Sequence, residues 1–173
     1  MKRNLFIIGA VIAALLAIII IANIQSPDEY YGSVESFMAD ADTITLSINC
    51  ATINNNLNKL DKSLSDSGIV PKDGIIRADY VVLFKEGDSV FDVLERFTKQ
   101  NRMQFAYTGE YVESIYNIHE FSCGPLSGWM FKVNGEFSDV SAKAHKLQVG
   151  DKVEWVYSCD LGRDVGNIYG GDN

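Results

Sequence analysis

Hydrophobic residues follow one another without interruption near the start of the chain. The run Leu5–Ile24 has no charged residue and only one strongly polar residue, Asn23. About twenty helical residues cross the ~30 Å hydrocarbon core of a bilayer. Lys2 and Arg3 precede the run, and basic residues stay on the cytoplasmic side of a membrane. The pattern predicts a single-pass transmembrane helix in the cell membrane, with a cytoplasmic N-terminus and an extracellular C-terminal domain.

The alternative interpretation of this run is a cleaved signal peptide. The apolar region of a signal peptide usually has about 7–15 residues and ends in an Ala-x-Ala-like site. Here the run is longer, and Gln25-Ser26-Pro27 follows without such a site. We therefore expect residues 1–25 to form a cytoplasmic tip and an uncleaved signal anchor, and the polar residues 26–42 to form a stalk.

Strict alternation of apolar and polar residues begins directly after the stalk. Thr43–Cys50 places isoleucine and leucine on one face and threonine, serine and asparagine on the other, which is typical of a half-buried strand. Residues 54–64 have leucines at helical spacing and predict a short helix or a wrapped loop. Gly74–Phe84 ends in a continuous apolar run and predicts a second strand.

One amphipathic helix is predicted after the second strand. Ser89 and Asp92 have the spacing of a capping box at its start. Apolar residues then recur at i, i+3, i+4 and i+7 as far as Gln100, which indicates a helix packed on a sheet. Further strands are predicted over Met103–Tyr107, Ser114–Phe121, Trp129–Val133 and Val153–Cys159, and Asn134-Gly135 predicts a type I′ hairpin turn.

Two strands, one helix and then a series of strands predict an α+β domain over residues 43–162. The order fits a β-grasp-like mixed sheet with one packed helix, preceded by the N-terminal transmembrane helix. In such a sheet the first and last strands are parallel neighbours at the centre. Residues 163–173 are predicted to form a polar tail.

Charge excludes one class of partner. The chain has 23 acidic and 15 basic residues, and its net charge is −8. Every acidic residue lies at or after Asp28, so the exported part is the acidic part. An acidic surface repels nucleic acid, and no basic stripe with interleaved aromatic residues is present. We therefore expect no nucleic-acid partner.

The three cysteines predict one disulfide and one free thiol in an oxidising compartment. Cys50 and Cys159 fall on the apolar parity at the ends of the first and last strands. Adjacent strands supply the Cα separation that a disulfide requires. The pattern therefore predicts a Cys50–Cys159 bond and leaves Cys123 unpaired. No two cysteines have C-x-x-C spacing, so no metal site is predicted.

Four segments resemble a known family. They are Gly128–Gly135, the Leu-x-x-Gly-Asp-x-Val-x-Trp-x-Tyr pattern of Leu147–Tyr157, Cys123–Trp129 and Cys159–Gly166. Together they resemble the DUF4430 domain, which is related to the C-terminal β-domain of transcobalamin and intrinsic factor, in a bacterial surface-displayed branch. In the animal carriers that domain caps cobalamin together with a separate helical barrel, which this chain lacks. The resemblance therefore implies a membrane-anchored binding domain for a corrinoid such as cobalamin, working with an envelope partner that supplies the other half of the site.

The element best placed to bind such a ligand is the strand around Trp129. We expect it to offer an aromatic face and main-chain hydrogen bonds to a flat, amphipathic ring. The predicted ligand-binding residues are Leu126, Ser127, Trp129, Phe131 and Asn134. Two alternatives stay open: Trp129 belongs to the core, since Phe131 and Val133 share its parity, and the domain is an envelope protein–protein interaction module without a small ligand.

A sortase-like thiol transpeptidase is a minor alternative. Such an enzyme needs a thiolate, a histidine and an arginine, which His119, Cys159 and Arg163 would supply. However, the Thr-Leu-x-Thr-Cys pattern of sortases is absent, and the arginine follows the cysteine by only four residues. We therefore predict no catalytic residue, no cofactor and no enzymatic activity.

Overall fold

The computed structural model of the protein describes residues 42–167. The predicted anchor over Leu5–Ile24, the stalk except its last residue, and residues 168–173 of the tail lie outside the described part. Within residues 42–167 no helix is long and apolar enough to cross a membrane.

The described elements form an α+β domain in which sheet predominates, as the residue pattern predicted. The strands are β1 Thr43–Asn49, β2 Ile75–Leu83, β3 Phe105–Thr108, β4 Tyr111–Ile115, β5 Ile118–His119, β6 Gly128–Val133, β7 Glu136–Phe137 and β8 Lys152–Ser158. The α-helices are α1 Lys62–Ser67 and α2 Val90–Gln100, and the 3₁₀ helices are Ala51–Asn55, Leu57–Lys59 and Arg163–Val165.

The main sheet has five strands in the order β2-β1-β8-β6-β7. β1 and β8 are parallel, with Leu46 opposite Val153, and all the other neighbours are antiparallel. The predicted parallel pairing of the first and last strands is therefore confirmed. One face of the sheet is buried, since Ile44, Leu46 and Ile48 of β1 are at most 1% exposed. These residues and the inward side chains of β8 form the centre of the core.

Helix α2 begins with the predicted capping box. The Ser89 hydroxyl oxygen accepts a hydrogen bond from the Asp92 amide, and the Asp92 carboxylate accepts one from the Ser89 amide at 2.9 Å. The apolar stripe of the helix is buried, including Val90, Leu94 and Phe97. The helix thus has the packed position that its periodicity predicted.

A second, three-stranded sheet, β3-β4-β5, was not predicted. The predicted single strand Ser114–Phe121 is wrong, because the chain turns back at Tyr116 and Asn117. Both residues have positive φ, 57° and 60°, and this conformation reverses the strand direction. Residues 54–64, predicted as a short helix or a loop, contain the second 3₁₀ helix and the start of α1.

The predicted disulfide between Cys50 and Cys159 is not formed, and all three cysteines are buried free thiols. The register of the central strands gives the physical reason. Asn49 pairs with Val156 at the end of β1, so Cys50 lies one residue beyond that pair, whereas Cys159 lies three residues beyond it. Two residues of strand separate the two sulfur-bearing positions by about 6–7 Å along the strand direction. That offset prevents the bond although both side chains face the core.

Candidate functional site

An apolar groove lies on both sides of Trp129. Its first lobe has a cavity volume of about 280 Å³ and is lined by residues that include Phe121, Leu126 and Leu161. Its second lobe has a volume of about 260 Å³, and Phe131 and Trp155 line it. Tyr111 and Trp129 line both lobes. We call the two lobes together the Trp129 groove.

Trp129 forms a fixed wall of this groove. The side chain is only 6% exposed, and its indole N–H donates to the Ile118 carbonyl oxygen at 2.8 Å. Its ring meets the Tyr157 ring edge-on, with centroids 5.2 Å apart. Trp129 therefore has the burial that its parity predicted and offers the groove one side of its ring.

Tyr111 forms the opposite wall that the lobes share. Its side chain is about half exposed, and its hydroxyl donates to Glu120 Oε2 at 2.6 Å. Partial burial and the adjacent Glu120 carboxylate raise the pKa of Tyr111 to about 12. The phenol is therefore neutral at any physiological pH and acts as a hydrogen-bonding, aromatic surface.

The first lobe has large apolar side chains that point to solvent from unfavourable backbone conformations. Phe121 is 57% exposed at φ 63°, and Leu161 is 52% exposed at φ 50°. Bulky residues in the left-handed region cost about 1–3 kcal/mol each and persist where the surroundings fix them. Here the Phe121 amide donates to the Ser127 carbonyl and the Leu161 amide to the Leu126 carbonyl, both at 2.9 Å. The fold thus holds apolar surface open at some cost, which is typical of binding sites.

The second lobe contains an indole donor without an acceptor. Trp155 is 2% exposed, and its Nε1 has no hydrogen-bond partner among residues 42–167. Its ring packs against Phe131 with centroids 5.4 Å apart. A buried unpaired N–H costs free energy comparable to a lost hydrogen bond.

The structure brings most of the predicted ligand-binding residues to this groove. Leu126, Ser127 and Trp129 line the first lobe, and Trp129 and Phe131 line the second. Ser127 is 3% exposed, and its hydroxyl accepts from the Tyr157 hydroxyl at 3.0 Å, so its role there is structural.

Asn134 lies elsewhere, in the turn that joins β6 to β7. Its side chain donates to Asp151 Oδ1 and accepts from the Lys152 amide, both at 2.9 Å. With φ 55° followed by φ 85° at Gly135, it forms the predicted hairpin turn. These contacts give Asn134 a role in the turn, outside the groove.

The pattern analysis missed most of the residues that line the groove, including Tyr111, Phe121, Trp155 and Leu161. For Trp155 the alternation of β8 predicted an inward position but gave no sign that its N–H is unpaired. The positive φ values of Phe121 and Leu161 had no signal in the sequence, because neither residue type favours that conformation.

A larger depression of about 870 Å³ lies beside the β6–β7 turn, next to Glu136, Ser138 and Asp139. Its described lining includes the aromatic residue Phe137 but, unlike that of the Trp129 groove, no tryptophan. Nor do residues 42–167 contain a group of three or more His, Cys, Asp or Glu side chains arranged to hold a metal ion.

The residues of the sortase alternative do not form a thiolate site. Cys159 is 3% exposed, and burial raises the pKa of its thiol to about 12. A nucleophilic thiolate requires the opposite shift. Arg163 is paired with Asp160, Nη2 to Oδ1 at 2.6 Å, and is thus engaged in a local ion pair.

Comparison with known proteins gives a family match to part of the chain. Residues 87–158, from the turn before α2 to the end of β8, match DUF4430, a domain of unknown function. The match includes every groove residue named above except Leu161, so the groove lies almost entirely within the family's region. No curated protein matches the chain.

Two solved structures are similar to this chain. Haptocorrin in complex with Cbi has a TM-score of 0.47 and 15% identity, and the similarity covers 70% of this chain and 26% of haptocorrin. The chain thus spans about a quarter of haptocorrin's length. A protein of Ruminococcus gnavus ATCC 29149, provisionally assigned as metal-binding, has a TM-score of 0.40 and 14% identity, with 68% of this chain and 96% of that chain covered.

Proposed function

We propose that this chain is a non-catalytic binding domain whose ligand occupies the Trp129 groove. The observation that carries the proposal is the first lobe, where strained backbone keeps Phe121 and Leu161 exposed. Burying such side chains against a ligand is favourable by about 25 cal/mol per Å² of apolar surface removed from water. The unpaired Trp155 N–H in the second lobe adds one directional contact.

A corrinoid is the ligand class that we propose. Its flat ring matches an aromatic wall, and its peripheral amide oxygens are acceptors for an indole N–H. The motif resemblance of Gly128–Gly135 and Leu147–Tyr157 to the transcobalamin-related domains supports the same class. Lobes of about 280 and 260 Å³ are too small to enclose a corrinoid, so the groove would contact one face of the ring. A partner protein would cover the other face.

The proposed setting is the cell surface. The apolar run Leu5–Ile24 would anchor the chain, and residues 26–42 would lift a β-grasp-like domain away from the bilayer. Such an arrangement would present the groove to ligands and to envelope proteins outside the cell.

A protein partner without a small ligand is the second candidate, and β2 supports it. Among residues 42–167 this nine-residue strand is an edge of the main sheet, so no described strand pairs with its outer main-chain groups. Tyr80 and Val81 on it are 46% and 66% exposed. An extended peptide added to β2 would use these side chains and leave the Trp129 groove empty.

Titration with cyanocobalamin and dicyanocobinamide tests the first proposal. The full chain in detergent is followed by visible absorbance and by calorimetry, and we expect saturable binding near 1 µM, about −8 kcal/mol. Leu161→Ala should weaken binding about 5- to 10-fold, because it removes roughly 1 kcal/mol of apolar contact. Leu57→Ala is the matched control, since Leu57 is 59% exposed and does not line the groove.

Equal affinities of the two leucine variants would contradict the groove as the corrinoid site. A flat titration, alone and with a candidate helical partner, would contradict corrinoid binding. A photo-crosslinker at Val81 or at Leu161 would then be compared in intact envelopes. Crosslinks from Val81 alone would favour the β2 edge as a protein interface.

A further inference from the structure

Two of the three cysteines contact the same short turn although they are far apart in the sequence. Cys123 lies in the loop between β5 and β6, and Cys159 directly follows β8; they are 0% and 3% exposed. Cys123 Sγ lies 3.5 Å from the Asn56 carbonyl oxygen, and Cys159 Sγ lies 3.8 Å from Thr52 Oγ1.

Their contacts place both sulfur atoms against the same short stretch of chain. The Asn56 side chain donates to the Thr52 carbonyl at 3.0 Å, so the two contact residues belong to one turn. Each of the two thiols also shifts the pKa of the other, as neighbouring groups do.

The backbone at both positions is fixed independently of the thiols. The Cys123 amide donates to Ser127 Oγ at 3.0 Å, and the Cys159 amide donates to Asp164 Oδ2 at 2.8 Å. Neither anchor would be broken by a bond between the sulfur atoms. A bond then requires only that the side chains bring the two sulfur atoms, which lie against the same turn, to the ~2 Å S–S distance.

We propose that Cys123 and Cys159 form the disulfide of this domain and that Cys50 remains a thiol. In the reaction both thiols lose their protons and together give two electrons to a disulfide oxidant such as oxidised glutathione, which leaves as two molecules of glutathione. One S–S bond forms in the protein and one breaks in the oxidant. Burial raises the pKa of both thiols, so the exchange should be slow at neutral pH and faster at alkaline pH.

The bond would join the two rims of the first lobe of the groove. Cys123 lies between Phe121 and Leu126 in the chain, and Cys159 lies two residues before Leu161. A covalent link between these segments would limit how far the rims can separate, so oxidation would fix the shape of the lobe.

Peptide mapping after oxidation tests the pairing. The full chain in detergent is reduced, incubated with oxidised glutathione at pH 8.5, unfolded in denaturant with excess alkylating agent, and digested. We expect a linked pair of peptides containing Cys123 and Cys159, with Cys50 alkylated. Intact mass should show one alkylated thiol in the oxidised protein and three in the reduced protein.

Serine variants distinguish this pairing from every other one. After oxidation, Cys50→Ser should retain no reactive thiol, whereas Cys123→Ser and Cys159→Ser should each retain two. A Cys50–Cys159 bond would instead leave Cys123→Ser with none. Three results would overturn the proposal: no remaining thiol in oxidised Cys123→Ser, three thiols in the oxidised wild-type protein, or a glutathione adduct on Cys123 or Cys159. The wild-type peptide map decides the matter even if a serine variant fails to fold.

Discussion

Replacing each tryptophan of the groove by phenylalanine should lower the free energy of unfolding by very different amounts. Both substitutions remove the same buried ring atoms, which costs about 2 kcal/mol. Trp129→Phe also removes the N–H that donates to the Ile118 carbonyl oxygen at 2.8 Å, and this adds about 1–3 kcal/mol. Trp155→Phe removes an N–H without an acceptor among residues 42–167, and this returns about 1–3 kcal/mol. We therefore expect losses of about 4 and about 0–1 kcal/mol in the free energy of unfolding.

The difference of about 3 kcal/mol is measured by urea unfolding of the full chain, followed by far-UV circular dichroism because the substitutions alter the fluorescence. It corresponds to roughly 10 °C in Tm for a domain of this size. Equal losses for the two variants would refute the reasoning, since they would mean that the Trp155 N–H is satisfied. If a corrinoid accepts from that N–H, Trp155→Phe should also weaken binding while the fold stays stable.

Two further predictions concern the supports of the core. Gly74→Ala should destabilise by more than about 3 kcal/mol in urea unfolding, because φ is +73° and the added Cβ would lie 2.3 Å from Ala51 Cα. Gly87→Ala, at φ +85° in open space, should cost only about 1–2 kcal/mol, and equal costs would contradict the close-approach argument. Asp92→Asn should cost about 1 kcal/mol at pH 7, and the cost should fall as the pH is lowered through the pKa of Asp92. The hydrogen bond from the Ser89 hydroxyl holds the pKa of Asp92 below its usual value. The stabilisation is therefore complete above that usual pKa and is lost as the pH falls through the lowered pKa. A cost in urea midpoints that does not change with pH would contradict this reasoning.

The elements that the sequence predicted correctly have local causes. The alternation in Thr43–Cys50 predicts β1 because one face of that strand is buried along its whole length. Ser89 and Asp92 predict the start of α2 because both halves of a capping box lie within one turn of chain. Asn134-Gly135 predicts the hairpin because both residues tolerate positive φ. Each of these signals lies within a few residues of the structure that it determines.

The features that the sequence did not predict depend on distant contacts. Tyr116 turns the chain at φ 57°, a conformation that tyrosine does not favour and that the packing of the second sheet stabilises. The position of Cys159 beside Thr52 depends on the exact register of β8 against β1, which alternation leaves open. The groove has the same origin: Trp129 and Phe131 were predicted from one strand, whereas Phe121 and Leu161 join them only when separate loops meet.

The parallel pairing of β1 with β8 constrains the order in which the sheet can form during synthesis. β1 can form its antiparallel hairpin with β2 early, but the strand that covers its other edge is made more than a hundred residues later, with Val153 opposite Leu46. At about 5–20 residues per second, a ribosome needs roughly 5–20 s to produce that interval. Throughout it, one main-chain edge of the future central strand has no neighbour, and the mean contact order of the finished sheet is high. The main sheet therefore cannot be completed strand by strand from the N-terminus during synthesis. We expect it to form only after β8 has been synthesised.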